Sequence, residues 1–215
     1  MPNATRTRDR LVESARHLFW EKGYTAAGLT EILARAEANS GSFYHFFESK
    51  DDLLRTVLAT YLELLEPQVL QPIAAAVDDP LERVFALLDG YRQRLVSTGC
   101  RYGCPLGRLA LEIDAENEPA HELIAANFTA WKRAVGANLR AAGIADPAAV
   151  ADLVLTVMEG GVMQARAYRS PAPFDACVAQ LRRHLAALPR ARKPARSRAP
   201  RKLSTPTKKT RRTRR

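Results

Sequence analysis

Cysteine is scarce in this chain, with 3 in 215 residues. Cys100 and Cys104 stand four apart in CRYGC and Cys177 lies far downstream. A metal centre would need further ligands at suitable spacing, and none lies near them. Three thiols without a signal peptide point to reduced cysteines rather than a disulfide framework. A redox switch at Cys100 or Cys104, with Arg101 lowering a thiol pKa, is the alternative reading. Of the 4 histidines, His17, His121 and His184 are isolated. There is no P-loop, zinc-protease pair, nucleophile elbow or Gly-rich dinucleotide turn, so nothing supports an enzyme and no cofactor is expected. No uninterrupted run of 18 apolar residues occurs, so no membrane span and no membrane partner are expected. The opening MPNATRTRDR lacks an apolar signal core, which points to the cytoplasm. Sustained strand alternation and hairpin turn signals are also missing, and no internal repeat appears.

What the chain does have is helical periodicity and a lopsided charge. Apolar residues make up 47%, enough for a sizeable core in one or two small domains. The formal charge is +10. Residues 190–215 hold 13 of the 33 Lys and Arg and no acid, which leaves 20 basic against 23 acidic side chains in residues 1–189, a net of −3. The tail ARKPARSRAPRKLSTPTKKTRRTRR lacks apolar bulk and is expected to be disordered and to bind polyanions through counterion release.

The most informative stretch is LTEILARAEANSGSFYHFFESK, Leu29 to Lys50. Leu29, Ile32, Leu33 and Ala36 give one apolar helical face. Glu37-Ala38-Asn39-Ser40-Gly41 breaks it. A second short helix then carries Phe43 and Phe47 on one side, with Ser42, Tyr44 and His45 pointing away. Helix-turn-helix proteins lay such a helix in the major groove. Ser49 with Asp52 three residues on opens the next helix, Lys50 to about Glu66, and places Lys50 where an anion is favoured.

Further helix starts are punctuated by proline. Asp79-Pro80-Leu81-Glu82 opens a helix to about Val96. Pro105 opens LGRLALEIDA, ending near Asn117. Pro119 opens one to about Ala142, Asp146-Pro147 one to about Arg169, and the last runs from Phe174 to Leu188. Pro67 and Pro72 bracket a stretch that must bend or break. The chain reads as all-α with about nine helices. It divides into a three-helix N-terminal domain (5–65), a C-terminal helical domain (66–189), and the basic tail (190–215).

The segments RDRLVESARHLFWEKGY, LTEILARA and GSFYHFFESKDDLL resemble the DNA-binding domain of TetR-family transcriptional regulators. The resemblance implies a homodimer that reads a palindromic operator in double-stranded DNA, with C-terminal helices that dimerise and hold a small hydrophobic effector. Carried over by position, Thr30, Asn39, Ser40, Gly41, Ser42, Tyr44, His45 and Lys50 are the DNA-facing set. Three positions depart from the family pattern. Glu37 stands where Gly is common, Ser40 where Lys is frequent, and Phe46 where His or Tyr is frequent. The last two changes remove phosphate contacts, which the tail would offset.

For the C-terminal domain, Phe85, Tyr91, Phe128, Trp131 and Met158 are candidate pocket lining. GCPLGRLALE (Gly103–Glu112) resembles a stretch in a TetR subgroup several of whose members respond to hydrophobic drugs or flavonoid-like compounds. Glu112 would meet a cationic ligand there, or else pair with Arg108 one turn earlier. The dimer interface is expected at Val150, Val154, Val157, Gly161 and Ala165 of the penultimate helix and Phe174, Val178, Leu181 and Leu185 of the last. The function expected is a sequence-specific regulator, a repressor released by a small inducer. The rivals are a nonspecific DNA-compacting protein driven by the tail, and an activating or ligand-independent regulator.

Overall fold

The structure, a computed structural model, describes residues 2–189, with side chains from residue 5 onward. The expected disorder of residues 190–215 therefore lies outside the described residues. In chain order the helices are α1 (Pro2–Lys22), α2 (Leu29–Arg35), α3 (Ser40–Phe46) and α4 (Lys50–Leu64). A π-helical turn (Leu65–Leu70) leads to α5 (Gln71–Ala76). Then come α6 (Pro80–Ser97), α7 (Pro105–Glu112), α8 (Glu118–Ala141), α9 (Pro147–Tyr168) and α10 (Ala172–Ala187). No strand occurs among the described residues.

Local chemistry sets most of these boundaries. Asp79 accepts the N–H groups of Leu81 and Glu82, with Pro80 in the first turn where its missing N–H is not needed. Asn117 caps α8 and Asp146 caps α9 in the same way. Pro67 has no N–H to donate, and around it the ladder lengthens to a π turn instead of breaking. α4, this turn and α5 form one bent rod, so the described residues hold nine rods. α7 stops at Glu112, five residues short of the end expected from sequence. Ile113 turns extended to bury its side chain, and Asn117 is needed as the cap of α8.

Two hydrophobic clusters organise the molecule. The first takes Leu11, Leu18, Phe19, Ile32, Phe43, Phe47, Leu54 and Leu58 from α1–α4, and also Leu109, Ile113, Ala120 and Ile124 from α7 and α8. The N-terminal helices thus share a core with C-terminal residues. Buried Asn127 on α8 reinforces the join by donating to the Leu58 carbonyl of α4 at 2.9 Å. The second cluster fills the space between α6, α8, α9 and α10.

α9 is apolar enough, by length and composition, to cross a membrane. Here it is the central helix of the second cluster, and its apolar side packs on α8 and α10. This packing overturns part of the interface expected from sequence. Val154, Gly161 and Ala165 of α9, and Phe174, Leu181 and Leu185 of α10, are buried within one chain. They close α9 onto α10 and present no surface to a partner. Val150, Val157 and Val178 are half-buried against the same cluster. A Cβ at Gly161 would lie 3.0 Å from the Phe174 ring and 3.4 Å from its Cα. Gly161→Leu is therefore expected to cost about 1–3 kcal/mol through overpacking, measured as a lower urea midpoint at fixed protein concentration.

Candidate nucleic-acid interface

α2 ends in a Schellman arrangement. The Ala38 N–H donates to Leu33 O at 3.0 Å and the Glu37 N–H to Ala34 O at 3.2 Å. The residue between helix and exit must be left-handed, and Glu37 is, at φ 49°. A glutamate in place of glycine costs about 1–2 kcal/mol there. Arg10 of α1 steadies the turn, donating through Nε to Ala36 O at 2.8 Å and through Nη2 to Glu37 O at 3.4 Å. Arg10 is thus tied to the end of α2 while remaining exposed.

Asn39 then caps α3, its Oδ1 accepting the Ser42 N–H at 2.8 Å. Phe43 is 0% exposed and its ring lies 5.6 Å from that of buried Phe47. Burying those two rings on α1 and α4 fixes the rotation of α3 about its axis. The opposite face is forced outward: Tyr44 is 61% exposed, and Ser40, Gly41 and His45 are exposed with it. Thr30, in the first turn of α2, faces solvent. A Cβ at Gly41 would meet only Asn39 Oδ1, at 3.4 Å. This glycine leaves the start of α3 bare for close approach.

Lys50 differs from the others. It opens α4, as expected, but its Nζ donates to the Tyr24 carbonyl at 2.5 Å and sits 4.3 Å from the Tyr24 ring centre. Burial lowers its pKa, with Glu112 and Asp51 acting in the opposite direction. The Tyr24 hydroxyl donates to Asp51, so Tyr24 is clamped from both sides.

The junction with the C-terminal helices is polar and was not foreseen. Arg108 of α7 donates to the carbonyls of Glu21 and Lys22 at the end of α1. Glu112 accepts the N–H of Tyr24 at 3.0 Å and of Thr25 at 3.3 Å, and meets Arg108 Nε at 3.5 Å. Trp20 Nε1 donates to Gly103 O at 2.8 Å. Gly23 carries φ 91°, and a Cβ there would fall 2.2 Å from Glu112 Oε2. Glu112 therefore caps the α1–α2 turn and is not a pocket residue. Only its pairing with Arg108 was visible in sequence, as an i, i+4 spacing.

The remaining ligand candidates do not share a cavity. Phe85 borders a cleft between α6 and α10, where the Arg182 guanidinium lies 3.7 Å from its ring centre. Tyr91 borders another, between the π turn, α5 and α6. Phe128 lines a third, between α7, α8 and α9. Trp131 and Met158 are buried in the second cluster. Cys100 and Cys104 are both buried, and burial with the nearby Glu159 carboxyl pushes the Cys104 thiol up, away from a reactive thiolate. Among the described residues no three His, Cys, Asp or Glu side chains gather as a metal site would require.

A short, exposed polar helix held on two buried rings beside a tight turn is the geometry of a DNA-reading unit. Residues 11–57 match the family described as bacterial regulatory proteins, tetR family. Residues 80–180 match the C-terminal domain of LmrA/YxaF-like transcriptional regulators. The HTH-type transcriptional regulator Rv0196 of Mycobacterium tuberculosis is 32% identical over 190 residues, which cover 84% of this chain and 94% of that one. This chain belongs to the TetR family. The HTH-type regulator YxaF of Bacillus subtilis is 27% identical, with 78% of this chain and 89% of YxaF covered. The similarity extends to shape. A TetR transcriptional regulator from Chloroflexus aurantiacus, 25% identical, superposes with a TM-score of 0.75 over 89% of this chain and 100% of that one. As a TetR-family member the chain is a sequence-specific DNA-binding transcriptional regulator, and its two matched regions place the DNA-binding unit before the helical C-terminal domain.

Proposed function

We propose that this regulator is a repressor that binds a palindromic operator as a homodimer and is released by a small apolar molecule held in its C-terminal domain. The observation that carries the reading is the outward face of α3, with Ser40, Gly41, Tyr44 and His45 exposed over buried Phe43 and Phe47. Tyr44 and His45 contact base edges. Thr30, Asn39, Ser40 and Ser42 contact the backbone. Lys50, tied to Tyr24, holds the start of α4 in place next to the DNA. One helix of this length reads too few bases, so two copies about 34–36 Å apart would meet successive major grooves. Random duplex DNA selected by the full-length protein and sequenced is expected to yield an inverted repeat. Recovery of unrelated sequences would remove the operator.

The dimer forms on the outward face of α9. Leu153 (39% exposed) and Met163 (65% exposed) share that face with Thr156, Gly160 and Ala167, at steps of three and four. A Cβ at Gly160 meets nothing within 4 Å of its own chain, so its bareness serves a crossing second helix. Met163→Asp should raise the dimer dissociation constant by ~100-fold or more, because the two-fold axis brings like charges together. Light scattering across a dilution series reads this directly, and an unchanged dimer would move the interface elsewhere. Release needs a coupling of only about 1–3 kcal/mol between effector and operator.

A further inference from the structure

The cleft between α7, α8 and α9 has a volume of about 530 Å³. Its wall is mainly apolar, including Phe128, Leu155 and Met163. One group in it is out of keeping. Glu159 of α9 reaches into this wall, and its Oε1 is buried with no hydrogen-bond partner. No basic side chain lies within ion-pair distance of it among the described residues. Two arginines border the cleft: Arg108 is engaged with α1 carbonyls and Glu112, and Arg166 of α9 is exposed at its rim. Space for the carboxyl is provided by Gly107, where a Cβ would fall 2.3 Å from Glu159 Oε2. Burial raises the Glu159 pKa, and a hydrogen bond from the Cys104 thiol acts to lower it, so the carboxyl has that one donor from its own chain and Oε1 has none. A buried carboxyl oxygen without a partner is costly, and a fold tolerates it where something else supplies the donor.

We infer that this cleft is the effector site and that it takes an apolar small molecule bearing a positively charged or hydrogen-bond-donating head group, which Glu159 receives. This inference rests on the regulator reading and adds to it the site and the chemistry of the ligand. The aromatic and aliphatic wall accepts the apolar body, and the carboxyl at its base selects the head. The outer lip, Thr156, Gly160 and Met163, belongs to the stripe assigned above to the partner copy, so dimerisation would roof the cleft. Its inner wall is α7, whose other contacts, through Arg108 and Glu112, hold the end of α1.

Three probes of one shape test the inference: 4-(1-naphthyl)butylamine, 4-(1-naphthyl)butanol and 4-(1-naphthyl)butanoate, titrated calorimetrically into the full-length dimer. The amine should bind tightest, by about tenfold or more over the carboxylate, as expected for a hydrogen bond to a charged partner. Glu159→Gln should remove most of that margin and leave the alcohol within about twofold, since an amide of the same shape keeps a hydrogen-bonding oxygen but loses the charge. A flat or inverted order in the unaltered protein overturns the inference, whatever the variant does. An amine preference that survives Glu159→Gln also overturns it. Operator selection without any probe reports separately on the regulator reading. Failure of the probes with a palindrome intact removes only the site, whereas loss of the palindrome removes the reading beneath it.

Discussion

Protein lacking residues 190–215 is expected to bind DNA with a much shallower salt dependence than the full-length chain. The 13 Lys and Arg of that segment are uncompensated, while the preceding 189 residues carry a net charge of −3. Each phosphate neutralised releases condensed counterions, worth about 0.9 in the slope of log K against log salt. If half of the tail charges of one protomer reach phosphates, the slope falls by about 6 on deletion. Affinity at low salt falls with it, by ~10³-fold or more at 50 mM. Preference for the palindrome should survive, because base edges carry the sequence information and, on the proposed function, α3 supplies those contacts. The measurement is a binding isotherm at several salt concentrations for specific and scrambled duplexes. An unchanged slope would take the tail off the DNA. Loss of the palindrome preference along with the tail would favour the compacting protein over the regulator.

Two neighbours on α3 should behave in opposite ways. Phe43 is 0% exposed, so Phe43→Ala opens a cavity that the short helix has little means to close, costing about 3–5 kcal/mol. That is a large part of the ~5–15 kcal/mol of a whole domain, and the variant should melt early and lose all sequence-specific binding. Tyr44 is 61% exposed, with one edge on Phe43 at a centroid distance of 5.1 Å. Tyr44→Ala should cost about 1 kcal/mol of stability or less. Its operator binding should weaken by about 1–3 kcal/mol, with specificity relaxed at the contacted base. Urea denaturation and operator titration on the same samples separate the two effects. Equal destabilisation by both substitutions would mean that α3 is rotated relative to the face described here.

Helix starts were legible because they depend on neighbours in sequence. Asp79 with Pro80, and Asp146 with Pro147, satisfy or remove the free N–H groups of a first turn, whatever the helix later packs against. The turn after α2 was legible from the break in apolar spacing at residues 37–41 and from the family resemblance, while its left-handed geometry came from the structure. A position needing φ > 0 is set by the Schellman bonds around it, and Glu37 adopts that conformation in place of glycine. The outward set on α3 followed from the spacing of Phe43 and Phe47, since two rings four apart turn one side of a short helix inward.

The misreading of Val154, Gly161, Ala165, Phe174, Leu181 and Leu185 as an interface has an equally definite cause. Periodicity says that a face is buried but not against what. A seam between two helices of one chain and a seam between two chains present the same repeat. Gly160 and Gly161 are adjacent in sequence, yet one faces open space and the other the Phe174 ring. The role of Glu112 was hidden for a related reason, because its partners, the N–H groups of Tyr24 and Thr25, lie 88 and 87 residues away.

The sequence by itself determined the helices, the reading unit, and the split between a mildly acidic body and a basic tail. These follow from contacts within a few residues and from charge, which no fold can alter. Only the tertiary structure decided which apolar stripe is used up inside the chain, which is left exposed on α9, and where a carboxyl oxygen is buried without a partner. Those depend on which distant surfaces meet, and burial is a property of that meeting rather than of either segment alone.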